Sequence, residues 1–281
     1  MQSYDSVLFF DNEVVHIDCF KDSGVKAIKV PGASEMPNVP ITLDEYKAYV
    51  ASLSDAGKAY AEKVLHKCVN KTAYDPISGI NVVRDKPIFD NWFSENAGKK
   101  LAVVFDFDRT LTQVETFLSS TGPTHVYYHG WNGFKPLVAS VLKTSVSDYD
   151  DVTPEGWVEY YMGGRERMDA VKSFLKHINE NGIDIYVLTN NGSALFNPEL
   201  LHDFLANLTG GLDIGLIASA THPSKKAALS EIDSFVQVCE NVPVEDIFIS
   251  IVQMLKSAPT FDVIRPNTIK YKIPVKINVS Q

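Results

Sequence analysis

Five short runs of the chain are apolar without alternation, the pattern of strands covered on both faces. They are Ser6–Phe10, Val25–Val30, Leu101–Phe105, Ile183–Leu188 and Asp213–Ala218. Between them the period changes to that of helices. Glu13–Lys21 carries Val14, Val15, Ile17 and Phe20 ahead of a stop at Gly24. Arg167–Asn179 sets Met168, Val171, Phe174, Leu175 and Ile178 on one face and ends at Asn181-Gly182. Pro198–Leu208 and Lys226–Val238 repeat the theme. Strands alternating with helices predict an α/β fold, with a doubly wound parallel sheet between helices on both faces.

Two stretches break the rhythm. Residues 31–99 open with a proline-rich turn, Pro31–Pro40. One helix is predicted from Thr42 to about Cys68, with Thr42 and Glu45 as its capping box. Residues 113–162 are rich in Tyr, Trp, Gly and His, and are expected to cover one end of the sheet. There His125, Tyr127, Tyr128, His129 and Trp131 either pack a small core of their own or meet substrate. After Asn241 a helix is read over Glu245–Lys256 and an extended end over Ile269–Val279.

Composition narrows the function classes. The 281 residues are 45% apolar and 22% charged, an ordinary globular profile, with net charge −9. No stretch concentrates Lys and Arg as a nucleic-acid backbone demands, so no nucleic-acid partner is expected. No apolar run is long enough for a membrane span. No basic segment followed by a long apolar run opens the chain, so the reading is a cytoplasmic-type protein. Cys19, Cys68 and Cys239 are scattered, which indicates neither a disulfide framework nor a zinc site.

The chemistry concentrates where the strands end. Val103-Val104-Phe105-Asp106-Phe107-Asp108-Arg109-Thr110-Leu111-Thr112 is a buried strand, two aspartates one residue apart, and a hydroxyl-rich turn. Parallel strands point their carboxyl ends at the ligand crevice, and carboxylates so close repel unless a cation separates them. Hard oxygen ligands of this kind suit Mg²⁺. A bare pair of aspartates also begins many ordinary loops. Ile185–Leu188 runs into Thr189-Asn190-Asn191, and Ser224-Lys225-Lys226-Ala227-Ala228-Leu229 follows the fifth strand. Ser6–Phe10 ends in Asp11-Asn12-Glu13. Arg165 and Arg167, before the long helix, either reach an anion or lie in solvent.

The string around Asp106 resembles motif I, DxDx(T/V), of the haloacid dehalogenase-like (HAD) superfamily. Thr189 is similar to its motif II hydroxyl, and Lys225 to its motif III lysine, preferred over Lys226 by the apolar residue four places on. Asp11-Asn12, then a helix, Gly24 and a strand, looks like motif IV with its sequel. The resemblance thus implies a circularly permuted, three-layer Rossmann-like HAD core. Residues 1–30 would hold the usual fourth and fifth strands, and 31–99 a mainly helical connection. Residues 100–240 would hold motifs I–III with a small cap-like insertion at about 113–162, and 241–281 an extension. The implied strand order is two, one, three, four, five.

By the same resemblance the chain is a Mg²⁺-dependent phosphatase acting through an aspartyl-phosphate. Asp106 is the implied nucleophile and Asp108 the general acid/base. Thr189, Asn190 and Lys225 would bind phosphate. Asp106, Asp108 and Asp11 would hold the metal, with Asn12, Thr110 and Lys226 in support. Asn12 stands where a second Asp is commoner and brings no charge. The substrate would be a phosphorylated small molecule or a phosphoprotein side chain such as phosphotyrosine. The alternatives are an idle phospho-ligand or partner-binding module and a phosphotransferase. A dinucleotide-binding protein would need a GxGxxG turn, and the sequence has none.

Overall fold

The computed structural model describes residues 4–21, 23–32, 43–64, 77–114, 139, 143–191, 194, 198–219, 222 and 224–230. Over them the chain is α/β, with one five-stranded, all-parallel sheet. The strands are β1 (Ser6–Asp11), β2 (Val25–Lys29), β3 (Leu101–Phe105), β4 (Asp184–Thr189) and β5 (Gly215–Ala218). Their order across the sheet is β2-β1-β3-β4-β5, as expected. The helices are α1 (Val14–Cys19), α2 (Leu43–Ser52), α3 (Asp55–Val64) and α4 (Val82–Glu95). After β3 come α5 (Pro154–Met162), α6 (Arg165–Glu180), α7 (Pro198–Thr209) and α8 (Lys225–Ser230).

The two-residue period of the strands divides their side chains between two cores. Leu8, Phe10, Val103, Phe105, Ile185 and Val187 face the larger one, with Phe89 and Trp92 of α4, Met168, Val171, Phe174, Leu175 and Ile178 of α6, and the apolar side of α7. Phe9, Val104, Leu188 and Ile217 face the other, under Phe20, Ala228 and Leu229. Each fully buried large side chain contributes about 1.5–3 kcal/mol. The central strands therefore have no polar face, and their carboxyl ends are fixed side by side. Phe10 lies beside Phe105, Phe105 beside Val187, and Thr189 beside Ala218.

Three readings of the sequence need correction. The single helix expected over 42–68 is two, α2 and α3, within its described part. The break falls at Ser54, whose N–H donates to Oε1 of buried Glu159 at 2.7 Å and whose hydroxyl donates to Oε2. A carboxylate without solvent needs such donors, and it takes them from the helix backbone. Helix α4 was not foreseen, since Pro87 interrupts its sequence; Asn81 caps it, accepting from Val83 N at 3.0 Å and Arg84 N at 3.3 Å. Helix α5, which runs from the Thr153 cap to Gly163 at φ 85°, was not singled out within 113–162, and it belongs to the core. Its Trp157, Val158, Tyr160, Tyr161 and Met162 are all buried, so it shows no amphipathic stripe. The Thr42 cap, the aromatic cluster at 125–131, and the readings at 245–256 and 269–279 lie outside the described residues.

Helices α3 and α5 approach closely through Gly156, where an added Cβ would stand 2.2 Å from the carbonyl oxygen of Ala56. Backbone cannot yield as a side-chain tip does. Gly156→Ala is expected to destabilise the fold by about 1–3 kcal/mol, measured by urea denaturation; an unchanged midpoint would show that the helices separate freely.

Candidate active site

Asp11 ends β1 and Asp106 follows β3, and the Asp106 N–H donates to Phe10 O at 2.9 Å. This continues the ladder for one step and sets the two carboxylates on neighbouring strand ends. Between them stands Lys225, the first residue of α8, which Ser224 caps by accepting from Ala227 N at 3.1 Å. Its Nζ donates to Asp11 Oδ2 at 2.7 Å and also to Asp106 Oδ1. Asp11, Asp106 and Lys225 are 0%, 6% and 2% exposed. Lys226, the next residue, is exposed.

Such a triad is held by electrostatics against a desolvation cost. Burial, with the charges of Asp11 and Asp108, pushes the Asp106 carboxyl up to about 7 against the pull of Lys225. Burial also acts to raise Asp11, but the His16 hydrogen bond and the charge of Lys225 outweigh it and hold Asp11 below the usual range. Burial acts to lower Lys225, and the two aspartates outweigh it, so the ammonium is held charged. Asp11 is further fixed by Glu13 N–H, 2.7 Å from Oδ1, and by His16 Nδ1, 3.0 Å from Oδ2. On the Asp106 carboxylate, Lys225 is the one hydrogen-bond partner among the described residues, and it engages Oδ1. Oδ2 takes no hydrogen bond from a described residue.

The turn from Phe107 to Leu111 is locked by its hydroxyls. Asp108 is extended and Arg109 left-handed at φ 58°. Thr112 Oγ1 accepts from Arg109 N and donates to Phe107 O, both at 3.2 Å. Thr110 Oγ1 accepts from Asn12 N at 3.0 Å and donates to Asn12 Oδ1 at 3.2 Å. Asn12 therefore ties two strand-end turns together, and its amide also donates to Glu13 Oε1 at 3.3 Å. An uncharged residue suits this position better than a second Asp, whose carboxylate would add to the crowding. Arg167 holds the far side, donating to the carbonyls of Leu111 (2.8 Å), Met162 (3.0 Å) and Thr110 (3.3 Å). Arg165 pairs with Glu155 and Glu159. Both arginines thus serve the scaffold.

On the other side of β3, β4 ends in buried Thr189, whose Oγ1 accepts the Asn191 N–H at 3.0 Å. A hydroxyl that accepts in this way can still donate its own hydrogen. Asn190 is exposed, and its Oδ1 accepts from Ser219 Oγ. Asn191, 5% exposed, donates through Nδ2 to Asp108 Oδ2 at 3.0 Å. Two participants were thus missed from sequence: Asn191 behind Asp108, and His16 behind Asp11. The available signals were weak, a second Asn after a strand-end Thr and a His in the first turns after a strand-end Asp.

Among the described residues no group of three or more His, Cys, Asp or Glu side chains is arranged to hold a metal ion. The donors present still fit Mg²⁺, which takes one or two carboxylates and leaves its other positions to water and phosphate oxygens. Asp11 and Asp106 are such a pair. Asp11 and Asp106 share one ammonium, and the charge of Asp108 also acts on Asp106, so a divalent cation would offset negative charge here. Among the described residues no helix is long and apolar enough to cross a membrane. No family model matches the chain, and neither a curated protein nor a solved structure shows significant similarity to it.

Proposed function

We propose that the chain is a Mg²⁺-dependent phosphohydrolase, HAD-like and circularly permuted, acting on a phosphomonoester through an aspartyl-phosphate. The observation that carries this reading is the convergence on Lys225 of Asp106 and Asp11, 119 and 214 residues distant in sequence. The strand order β2-β1-β3-β4-β5 supports it by setting Asp11, Asp106 and Thr189 along one sheet edge. A phosphorylated small molecule or a phosphoprotein side chain is the substrate class.

Lys225 holds Asp106 by Oδ1 and leaves Oδ2 to attack phosphorus in line. The P–O bond to the leaving group breaks, its electron pair passes to the leaving oxygen, and Asp108 protonates that oxygen. Asp108, now a carboxylate, takes a proton from water as the water oxygen bonds to phosphorus and Asp106 departs as a carboxylate. Thr189 donates its hydroxyl to a phosphoryl oxygen, and the Lys225 ammonium faces the same charge. Asp11, Asp106 and the main-chain carbonyl of Asp108 would hold Mg²⁺, which would supply further charge compensation. The test is phosphate release from p-nitrophenyl phosphate. Turnover with Mg²⁺ that EDTA removes is expected; a folded protein inert in Mg²⁺ would leave a binding module.

A metal ligand must be deprotonated, and the Asp106 carboxyl titrates at about 7. Its proton therefore competes with the metal below that pH and not above. Mg²⁺ affinity is expected to be level above pH 7 and to fall roughly tenfold per unit below it. Calorimetry from about pH 5.5 to about pH 8.5 checks this, with His16→Gln removing the imidazole from Asp11 as a control. A profile level throughout would mean that Asp106 stays ionised.

A further inference from the structure

We infer that Asn191 is a positioning residue for the acid/base, fixing the direction of the Asp108 carboxyl group through Oδ2. The inference rests on the aspartate-nucleophile reading above. Its basis is one turn, residues 189–191, fixed at both ends. Asn191 N–H donates to Thr189 Oγ1 at 3.0 Å, Ser219 N–H donates to Thr189 O at 2.8 Å, and the Ser219 hydroxyl binds Asn190. With its backbone tied back in this way, Asn191 sends its side chain to Asp108, 83 residues distant in sequence, at 3.0 Å. The amide is 5% exposed, so water does not replace it readily.

The chemistry favours an amide here. In the first half-reaction Asp108 must give up a proton, and in the second it must accept one. A lysine or arginine against its carboxylate would stabilise the ionised form too strongly for it to serve as an acid. A neutral N–H donor fixes the direction of the carboxyl group with a weaker preference between its two states. The same turn carries Thr189, which would meet the phosphoryl oxygen. The distance from phosphate seat to acid is thus set within three residues, and this geometry governs proton transfer to the leaving group.

Leaving groups separate this role from a merely structural one. p-Nitrophenolate departs with little protonation, whereas phenolate needs the acid. kcat/KM covers the steps up to leaving-group departure, so it isolates this demand. For the full-length chain with Mg²⁺, Asn191→Ala is expected to lower kcat/KM for phenyl phosphate about 30-fold and for p-nitrophenyl phosphate less than about threefold. Asp108→Asn, the reference, should show the same selectivity with a larger loss, about 10²- to 10⁴-fold for phenyl phosphate. Asn191→Leu keeps much of the volume and loses the donor without adding charge; it decides the matter if the alanine variant does not fold. Equal losses for the two esters, or no loss for either, would overturn the positioning role. A wild type that hydrolyses neither ester, or is indifferent to Asp106→Asn, would overturn the hydrolase reading and this inference with it.

Discussion

Asp106→Asn is expected to lower Mg²⁺-dependent turnover by at least about 10⁴-fold while the melting temperature stays within about 2 °C of wild type or rises. The first half of the expectation follows from chemistry. An amide has the shape of the carboxylate but forms no stable phosphoryl intermediate, so the two-step route closes. The second half follows from the surroundings. Asp106 is buried, and its carboxyl already sits near 7 because desolvation, Asp11 and Asp108 together outweigh Lys225. At neutral pH its charge contributes little net stabilisation, and the neutral amide relieves repulsion. Lys225 keeps Asp11 as a partner in the variant. Turnover and melting are measured on the same preparation. Retained turnover would mean that another group attacks phosphorus, whereas turnover and fold lost together would mean that the charge serves structure.

How much of this was legible from sequence depends on the range of the deciding interaction. The strands were legible because Leu101–Phe105 and its neighbours are buried on both faces, and such burial needs unbroken apolar runs. The meeting of Asp11, Asp106 and Lys225 follows once the strands are parallel and ordered, since each residue ends or follows a strand. Lys225 was separable from Lys226 because one turn of α8 gives them different faces, one buried and one exposed. What escaped was set at long range. The break at Ser54 depends on Glu159, 105 residues on, and no local pattern around Ser54 announces it. Helix α5 escaped because it is buried on every side, which erases the 3.6-residue period. Asn191 and His16 act only through the turns that aim them, and neither residue type is distinctive after a strand.

Lys225→Met carries the largest expected effect on stability. Removing the ammonium while keeping much of its volume leaves Asp11 and Asp106 facing each other without solvent. Breaking a buried ionic group in this way costs about 3–5 kcal/mol, which lowers the melting temperature by on the order of 10 °C at neutral pH without metal. The pH dependence has a definite sign. With Lys225 gone, one carboxyl of the pair acquires a folded-state pKa well above its unfolded value of about 3.9. Between those two values the folded state binds more protons than the unfolded state, so the variant gains stability as pH falls. Wild type gains less, because its Lys225 holds the raised Asp106 carboxyl down to about 7, below the value it takes without the lysine. The gap between them is therefore expected to narrow toward pH 5. Millimolar Mg²⁺ should narrow it at neutral pH as well, since a divalent cation replaces the lost charge between the same two carboxylates. Adding Asp106→Asn to Lys225→Met leaves Asp11 alone with His16 and the Glu13 N–H, and is expected to recover much of the loss. Thermal melts of the two single variants and the double variant, with and without Mg²⁺, measure the coupling. A loss below about 1 kcal/mol for Lys225→Met, insensitive to pH and to Mg²⁺, would show that the lysine does not hold the two aspartates together.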